Sequence, residues 1–352
     1  MKILFISGRE AAYTRNSVIL KGLKQNGVEI IECTDISSSY FVRYPKVLLK
    51  FILNTKDFDL IFVGFLGQPL VPIIRKLSKK PIIFDAFLSI YDTMCFDRNK
   101  IKPDSVVGKI LYWLDKNSCE LADKVLLDTN AHIDYFANTF NLDKTKFQRF
   151  FVGADDSIFY PMDFDKENSK FTVFYYGTYL PLQGIEYIIK AAKKLEAHED
   201  IEFKIVGKGI ENKKIMNLAE ELSVKNIKFI DWLPYNELPL EITKADICLG
   251  GHFSNIDKAK RVISGKTYQF IAMEKPVIIG DNPANRELFE HRKNAMLVEM
   301  ANADALADAI MELKNNDGLR VRIANGGYLT FLQNCTTHII GNSIKKSIEA
   351  CL

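Results

Sequence analysis

The chain has 352 residues, 47% of them apolar and 26% charged, with a formal net charge of +3. That length exceeds one ordinary core and points to two domains of roughly 150 residues. The composition is that of a soluble globular protein, the charge argues neither for nor against nucleic acid, and no nucleic-acid partner is expected.

The six cysteines form no C-x-x-C pair and the five histidines show no metal-ligand spacing. Reduced, structural thiols in a cytoplasmic setting are expected, with no bound metal. Met1 leads straight into a strand, without the charged–apolar–small pattern of a signal peptide. No apolar run reaches the length of a membrane-spanning helix.

Short apolar runs alternate with longer helical periods along the chain. In the first half, strands are expected at Ile3–Ser7, Val28–Glu32, Leu60–Gly64, Ile82–Phe84, Val125–Leu127 and Phe150–Val152. The first ends in Ser7-Gly8-Arg9-Glu10, where a glycine before a helix N-terminus either lets an anionic ligand approach or only makes a turn. Arg43, Lys46, Lys50, Lys56, Arg75, Lys76, Lys79 and Lys80 alternate with apolar residues. The Arg43–Lys80 stretch is therefore either a surface for anionic lipid or a solvated face. Asp85 closes the fourth strand and either contacts a ligand or caps a loop. His132, one helical turn past Asp128, is the remaining ionisable candidate.

The halves meet at Gly153–Pro161 and the polar stretch Met162–Lys170, which serves as linker and hinge. In the second half, strands are expected at Phe171–Tyr176, Glu202–Val206, Ile227–Ile230, Ile247–Leu249, Val277–Ile279 and Ala295–Val298. Ile185, Ile188, Ile189, Ala192 and Leu195 mark a helix between the first two. The repeated βαβ pattern implies parallel sheets with right-handed crossovers, and ligands of such sheets sit beyond the C-terminal strand ends. The loops there are Tyr176-Gly177-Thr178-Tyr179…Gln183-Gly184, Gly207-Lys208-Gly209, Trp232-Leu233-Pro234 and Lys258…Lys260-Arg261…Lys266-Thr267-Tyr268-Gln269. The Gly177 turn is expected to offer backbone N–H groups to a diphosphate. After Gly326-Gly327 a final helix is expected over Tyr328–Ala350.

Taken in order, these motifs resemble the C-terminal domain of the retaining glycosyltransferases of family 4. The likeness rests on Gly177…Gln183-Gly184, Val206-Gly207-Lys208-Gly209, Trp232, Ala245-Asp246-Ile247 and Glu274-Lys275-Pro276-Val277-Ile278, and runs from about Phe171 to Leu313. The first half resembles the family more loosely, through Gly153-Ala154-Asp155. The resemblance implies the GT-B fold: two facing Rossmann-like sheets, an acceptor-binding domain over 1–155, a donor-binding domain over 165–327, and a C-terminal helix over 328–352 that packs back on the first domain. It implies transfer of a sugar from a nucleotide diphosphate sugar to a lipid- or glycan-linked acceptor in cell-surface glycan synthesis. It also implies retention without an enzymic nucleophile and no metal or other cofactor. Alternatives are a nucleotide-sugar 2-epimerase and a degenerate sugar-nucleotide-binding protein.

The resemblance further implies donor contacts at Gly8, Gly177, Thr178, Tyr179, Gln183, Gly184, Gly207, Lys208, Trp232, Leu233, Lys260, Thr267 and Gln269. It places Asp85, Arg261 and Lys266 at the reacting groups. Two departures stand out. The family's turn lysine is replaced by Gln183, and its paired glutamates fall at Arg261 and Gln269. The basic set Lys258, Lys260, Arg261 and Lys266 is expected to supply the missing charge, and a lysine at 183 would then be neutral or mildly activating.

Overall fold

The computed structural model describes residues 1–164 and 170–352. The chain divides into two compact units, one of Met1–Gly153 with Thr336–Leu352 and one of Ala154–Cys335. The expected start of the second domain at 165, and residues 165–169 of the expected linker, lie outside the described residues.

The first unit holds a parallel sheet of β1 (Lys2–Ile6), β2 (Glu29–Cys33), β3 (Leu60–Val63), β4 (Ile82–Asp85), β5 (Lys124–Leu127) and β6 (Phe147–Arg149), in the order β2-β1-β3-β4-β5-β6. The central strands are buried on both faces, which is why they read as unbroken apolar runs such as LIFV in β3. Its helices are α1 (Thr14–Gln25), α2 (Tyr40–Ile52), α3 (Val71–Leu77), the single turn α4 (Ile90–Asp92), α5 (Val106–Leu121) and α6 (Asn130–Phe140). Residues of α2, α3, α5 and α6 join one apolar cluster with the sheet.

The second unit repeats the plan. Its helices are α7 (Ile185–Lys194), α8 (Asn212–Glu221), α9 (Leu238–Thr243), α10 (Gly265–Ala272), α11 (Ala303–Asn315) and α12 (Asp317–Asn334). Strands β7 (Phe171–Tyr176), β8 (Ile201–Val206), β9 (Ile227–Ile230), β10 (Ile247–Leu249), β11 (Val277–Gly280) and β12 (Met296–Val298) lie in the order β12-β11-β10-β7-β8-β9, all parallel. The helical stripe Ile185, Ile188, Ile189 and Ala192 is buried, as its period predicts. Strand order reverses between β7 and β10, so the crevice beyond their C-terminal ends is the place for a ligand.

Two elements differ from the sequence expectation. The last strand of the first unit is Phe147–Arg149, not Phe150–Val152, because Val125 of β5 pairs with Phe147. The final helix is not continuous from Tyr328. It stops at Asn334, and α13 (Thr337–Glu349) starts afresh behind Thr336, whose side chain accepts the Ile339 N–H. Only α13 belongs to the first unit, where it crosses α1 at Gly22 and Gly341. A Cβ on Gly341 would lie 2.0 Å from the Gly22 carbonyl carbon, so neither helix tolerates a side chain at the crossing.

Candidate functional site

The site in the second unit is built on three glycines that only glycine can fill. Gly177 ends β7 at φ +156, and a Cβ there would meet Lys266 Cε at 3.1 Å. Gly207 ends β8 at φ +133, where a Cβ would sit 2.0 Å from Gly177 O. Gly184 adopts φ +67 just before α7, and a Cβ would press on Ser254 N at 2.4 Å. The 181–184 turn is thus clasped to the segment after β10. Phe253 N donates to Gln183 O at 3.1 Å, and Ser254 Oγ donates to Leu182 O at 2.8 Å.

This clasp brings Gln183 to Lys266, which are 83 residues apart. Lys266 Nζ donates to Gln183 Oε1 at 2.7 Å and to Ser264 Oγ at 2.9 Å, and lies 5.0 Å from the centroid of the Tyr175 ring. Lys266 is only 6% exposed, and both hydrogen-bond partners are neutral. It sits in the first turn of α10, whose dipole already carries partial positive charge. Burial pulls its ammonium down to about 7. A buried cation without a carboxylate is costly, and an arriving anion would relieve that cost.

Two further groups near α10 are left open. His252, which follows the Gly250-Gly251 pair, is buried with Nδ1 lacking a hydrogen-bond partner. Burial first, then the charges of Lys266 and Lys258, push its imidazole down to about 3, so it is neutral. Gln269 Oε1 is also buried without a partner, while its Nε2 reaches Tyr235 Oη at 3.4 Å. His252 and Ser254 were missed in the sequence, although two glycines directly after a strand at the switch point mark them.

The remaining expected donor contacts separate. Thr267 is fully buried and ties α10 to β10 through Gly250 O at 3.4 Å. Thr178 and Trp232 are exposed and Leu233 is half-buried. Lys208 pairs with Asp231 at 2.5 Å on the surface, and Lys260 pairs with Asp257 at 3.0 Å, so neither charge is uncompensated. Arg261 is half-buried and closes the short 257–260 turn, its N–H donating to Lys258 O at 3.1 Å. The Gly177 turn does not present its amides as expected. Gly177 N donates to Val206 O, Tyr179 N to Lys208 O, Gln183 N to Leu180 O and Gly184 N to Pro181 O. The Tyr179 side chain is buried in the apolar core instead of facing a ligand.

In the first unit, three expectations are corrected. Asp85 is fully buried, and both its oxygens are taken by the equally buried Arg15, from Nε at 3.1 Å and Nη2 at 2.9 Å. Arg15 also donates to the Phe150 and Phe151 carbonyls, so the pair is an internal tie, and Asp85 is not offered to a sugar. Gly8 is needed because Leu66 O would lie 2.1 Å from a Cβ; its own N–H goes to Phe65 O at 3.1 Å. Arg43 is 4% exposed and bound to Glu10 at 3.0 Å, Gly8 O and Ser37 O, while Arg75 binds Leu121 O and Asp123. The two arginines thus leave the supposed Arg43–Lys80 lipid surface. His132 and Asp128 form a buried pair at 2.7 Å.

Residues 159–330 match the family model for Glycosyl transferases group 1. A glycosyltransferase of Methanocaldococcus jannaschii, itself uncharacterized, is 25% identical over 151 residues, which span 43% of this chain and 40% of that protein. Among solved structures, HepE of Anabaena in complex with UDP superimposes with a TM-score of 0.75 at 15% identity over 99% of this chain and 100% of that one. HepE was also solved with UDP-glucose. Sucrose-phosphate synthase of Thermosynechococcus elongatus gives 0.78 at 14% identity, covering 99% and 98%. At such identities the structural likeness shows the fold, GT-B, and no more. Among the described residues no helix is long and apolar enough to cross a membrane.

Proposed function

We propose, from the match of residues 159–330 to the model for Glycosyl transferases group 1, that the chain transfers a sugar, with retention, from a nucleotide diphosphate sugar to a lipid- or glycan-linked acceptor in cell-surface glycan synthesis. The observation that carries this reading is Lys266, a buried cation with only neutral partners at the switch point of the second sheet. The diphosphate is the anion that suits it. As the bond to the sugar breaks, negative charge grows on the leaving diphosphate. A fixed ammonium and the α10 N-terminus stabilise that charge more than they stabilise the intact donor. Gln269 Oε1, buried without a partner, would accept a hydrogen bond from a ribose hydroxyl in this reading. The likeness to a protein solved with UDP and UDP-glucose makes these two the first probes.

The protein contributes the positive charge itself, so we propose that transfer needs no metal. Lys266→Ala should lower kcat/KM by roughly tens- to thousands-fold, about 1.4 kcal/mol per decade, and weaken UDP binding in calorimetry. Wild-type affinity in that variant would remove Lys266 from the site. Activity abolished by EDTA and restored by Mg²⁺ or Mn²⁺ would overturn metal independence. A nucleotide-sugar panel read by mass spectrometry reports transfer or hydrolysis. Donor binding without turnover of any member would leave only a sugar-nucleotide-binding protein.

A further inference from the structure

Helix α5 packs on the core through Tyr112, Cys119 and Leu121, yet it carries a second apolar stripe that faces water. The residues it turns inward include Gly108, Asp115, Ser118 and Cys119, which are small or polar. Its outer face carries Val106, Val107, Ile110 and Trp113, at 76%, 50%, 54% and 55% exposure. The inward stripe has a structural explanation. Asp115 accepts from Ser89 Oγ at 2.7 Å and from the Ile90 and Tyr91 N–H groups, and Ser118 Oγ donates to Gln68 O at 2.8 Å. Gly108 lets the start of α5 lie close to the turn before it, where a Cβ would meet Pro103 O at 2.4 Å. Nothing inside the fold explains the outer stripe. Four large apolar side chains facing water at helical spacing form a contiguous patch, which marks an interaction surface. Phe96, 49% exposed, extends it through Tyr91, which packs edge-on against both Phe96 and Tyr112.

The charges around the patch indicate what covers it. Lys100, Lys102 and Lys109 are exposed, and among the described residues no carboxylate pairs with them. A second copy of the chain seated on this face would bring these lysines against themselves. An anionic lipid surface satisfies both halves of the pattern: acyl chains for Val106, Ile110 and Trp113, and phosphate headgroups for the lysines. Tryptophan suits such a boundary, being apolar in body and a donor at its N–H. On the same side of the sheet, α2 exposes Phe41 at 94%, with Leu49 at 54% and Ile52 at 61% beside Lys46 and Lys50. We propose that α5 is a lipid-docking helix that seats the first unit on an anionic bilayer surface. This goes beyond the donor chemistry, and its test reads lipid contact, not transfer.

The chain has two tryptophans, Trp113 and Trp232. Trp232→Phe in the full-length chain leaves Trp113 as the sole reporter. With vesicles of phosphatidylglycerol and phosphatidylcholine in equal parts, its emission should shift to the blue and be quenched by brominated acyl chains. Neutral phosphatidylcholine vesicles should bind roughly tenfold or more weakly, and added salt should narrow that difference as the Debye length shrinks to about 3 Å at 1 M. Val106→Glu with Ile110→Glu should reduce partitioning by roughly tenfold or more. Both positions are more than half exposed, so near-ultraviolet dichroism should remain that of the parent. Should that pair perturb the fold, Lys102→Glu with Lys109→Glu should weaken anionic binding to the level of neutral vesicles. The proposal fails if Trp113 shows no shift, if neutral and anionic vesicles bind alike, or if the variants partition like the parent. It also fails if the shift appears without vesicles and grows with protein concentration, which would assign the face to a second copy.

Discussion

Lys266 is stable as a neutral amine and useful as a cation, and this conflict sets the pH behaviour of the site. Its folded pKa, about 7, lies below the ordinary lysine value of 10.5. Between those values the unfolded chain binds a proton that the folded chain does not, so folding stability should rise with pH from about 7 to about 10. Lys266→Met should remove that slope and be more stable than the parent below neutrality, while losing donor affinity. UDP-glucose, which has no titrating phosphate in this range, should bind with proton uptake at pH 8, and its affinity should fall by up to about tenfold per pH unit above 7. Calorimetry in buffers of different ionisation heat measures both. A pH-independent affinity would mean that Lys266 is charged without the donor.

The same contact revises the expectation for position 183. Gln183 Oε1 accepts from Lys266 Nζ, so Gln183→Lys would remove an acceptor and set two cations side by side. That variant alone should lose stability and donor affinity, whereas Gln183→Lys with Lys266→Gln should recover most UDP binding. Equal binding by the single variant and its parent would count against a shared charge site. At this scale the sequence was informative where a residue's role is local. Gly177 and Gly184 lie in the turn between β7 and α7, whose glycine spacing is visible, whereas the contact of Lys266 in α10 with Gln183, 83 residues away, leaves no local trace. Asp85 and Gly8 were misjudged because Arg15 and Leu66 decide their roles, 70 and 58 residues away, and no periodicity reports such partners.

Among the elements, the α1–α13 crossing depends most on single residues. Gly22 and Gly341 let the two backbones touch, and the contact is bracketed by Asn26 Nδ2 to His338 O at 2.9 Å and Thr337 Oγ1 to Gln25 Oε1 at 2.9 Å. Gly341→Ala should cost about 3 kcal/mol, since a methyl group overlapping a facing backbone must push the helices apart. Chemical denaturation reads the loss, and hydrogen exchange should show faster amides in α13 first. A change below about 0.5 kcal/mol would show that the helices separate freely. The break before α13 was hard to see because apolar residues at helical spacing continue on both sides. Only Thr336, an N-cap residue followed by Thr337 and His338, signals it. β6 was placed three residues late because Phe150-Phe151-Val152 is the more apolar run, yet the ladder from β5 selects Phe147–Arg149.

For the whole molecule, the two parallel sheets were legible, because twelve apolar runs at βαβ spacing admit few other plans, while the strand orders that set the switch points were not. Membership of the last helix in the first unit was a family expectation, and pairing of sequence-distant ends leaves little trace in local pattern. Deleting Thr336–Leu352 should uncover the face of α1 around Gly22, Gln25 and Asn26 and unfold the first unit. The second unit, Ala154–Cys335, keeps its own core. UDP should still raise the melting temperature of what remains folded in that deletion, by an amount set by concentration over Kd. Loss of every UDP-dependent shift would show that the donor site needs the first unit intact.

That the first unit is closed by the last helix has a bearing on synthesis. The six strands Lys2–Arg149 leave the ribosome early, at about 5–20 residues per second, but the helix that covers α1 is made after the entire second unit. For that interval the α1 face of the first sheet stands open, with Gly22 awaiting Gly341. The second unit, continuous in sequence, can finish first, so in a nascent chain the later half can mature before the earlier one. The hazard of premature association then falls on the uncovered α1 face, and a chaperone that spares this protein would be expected to hold that face until α13 arrives.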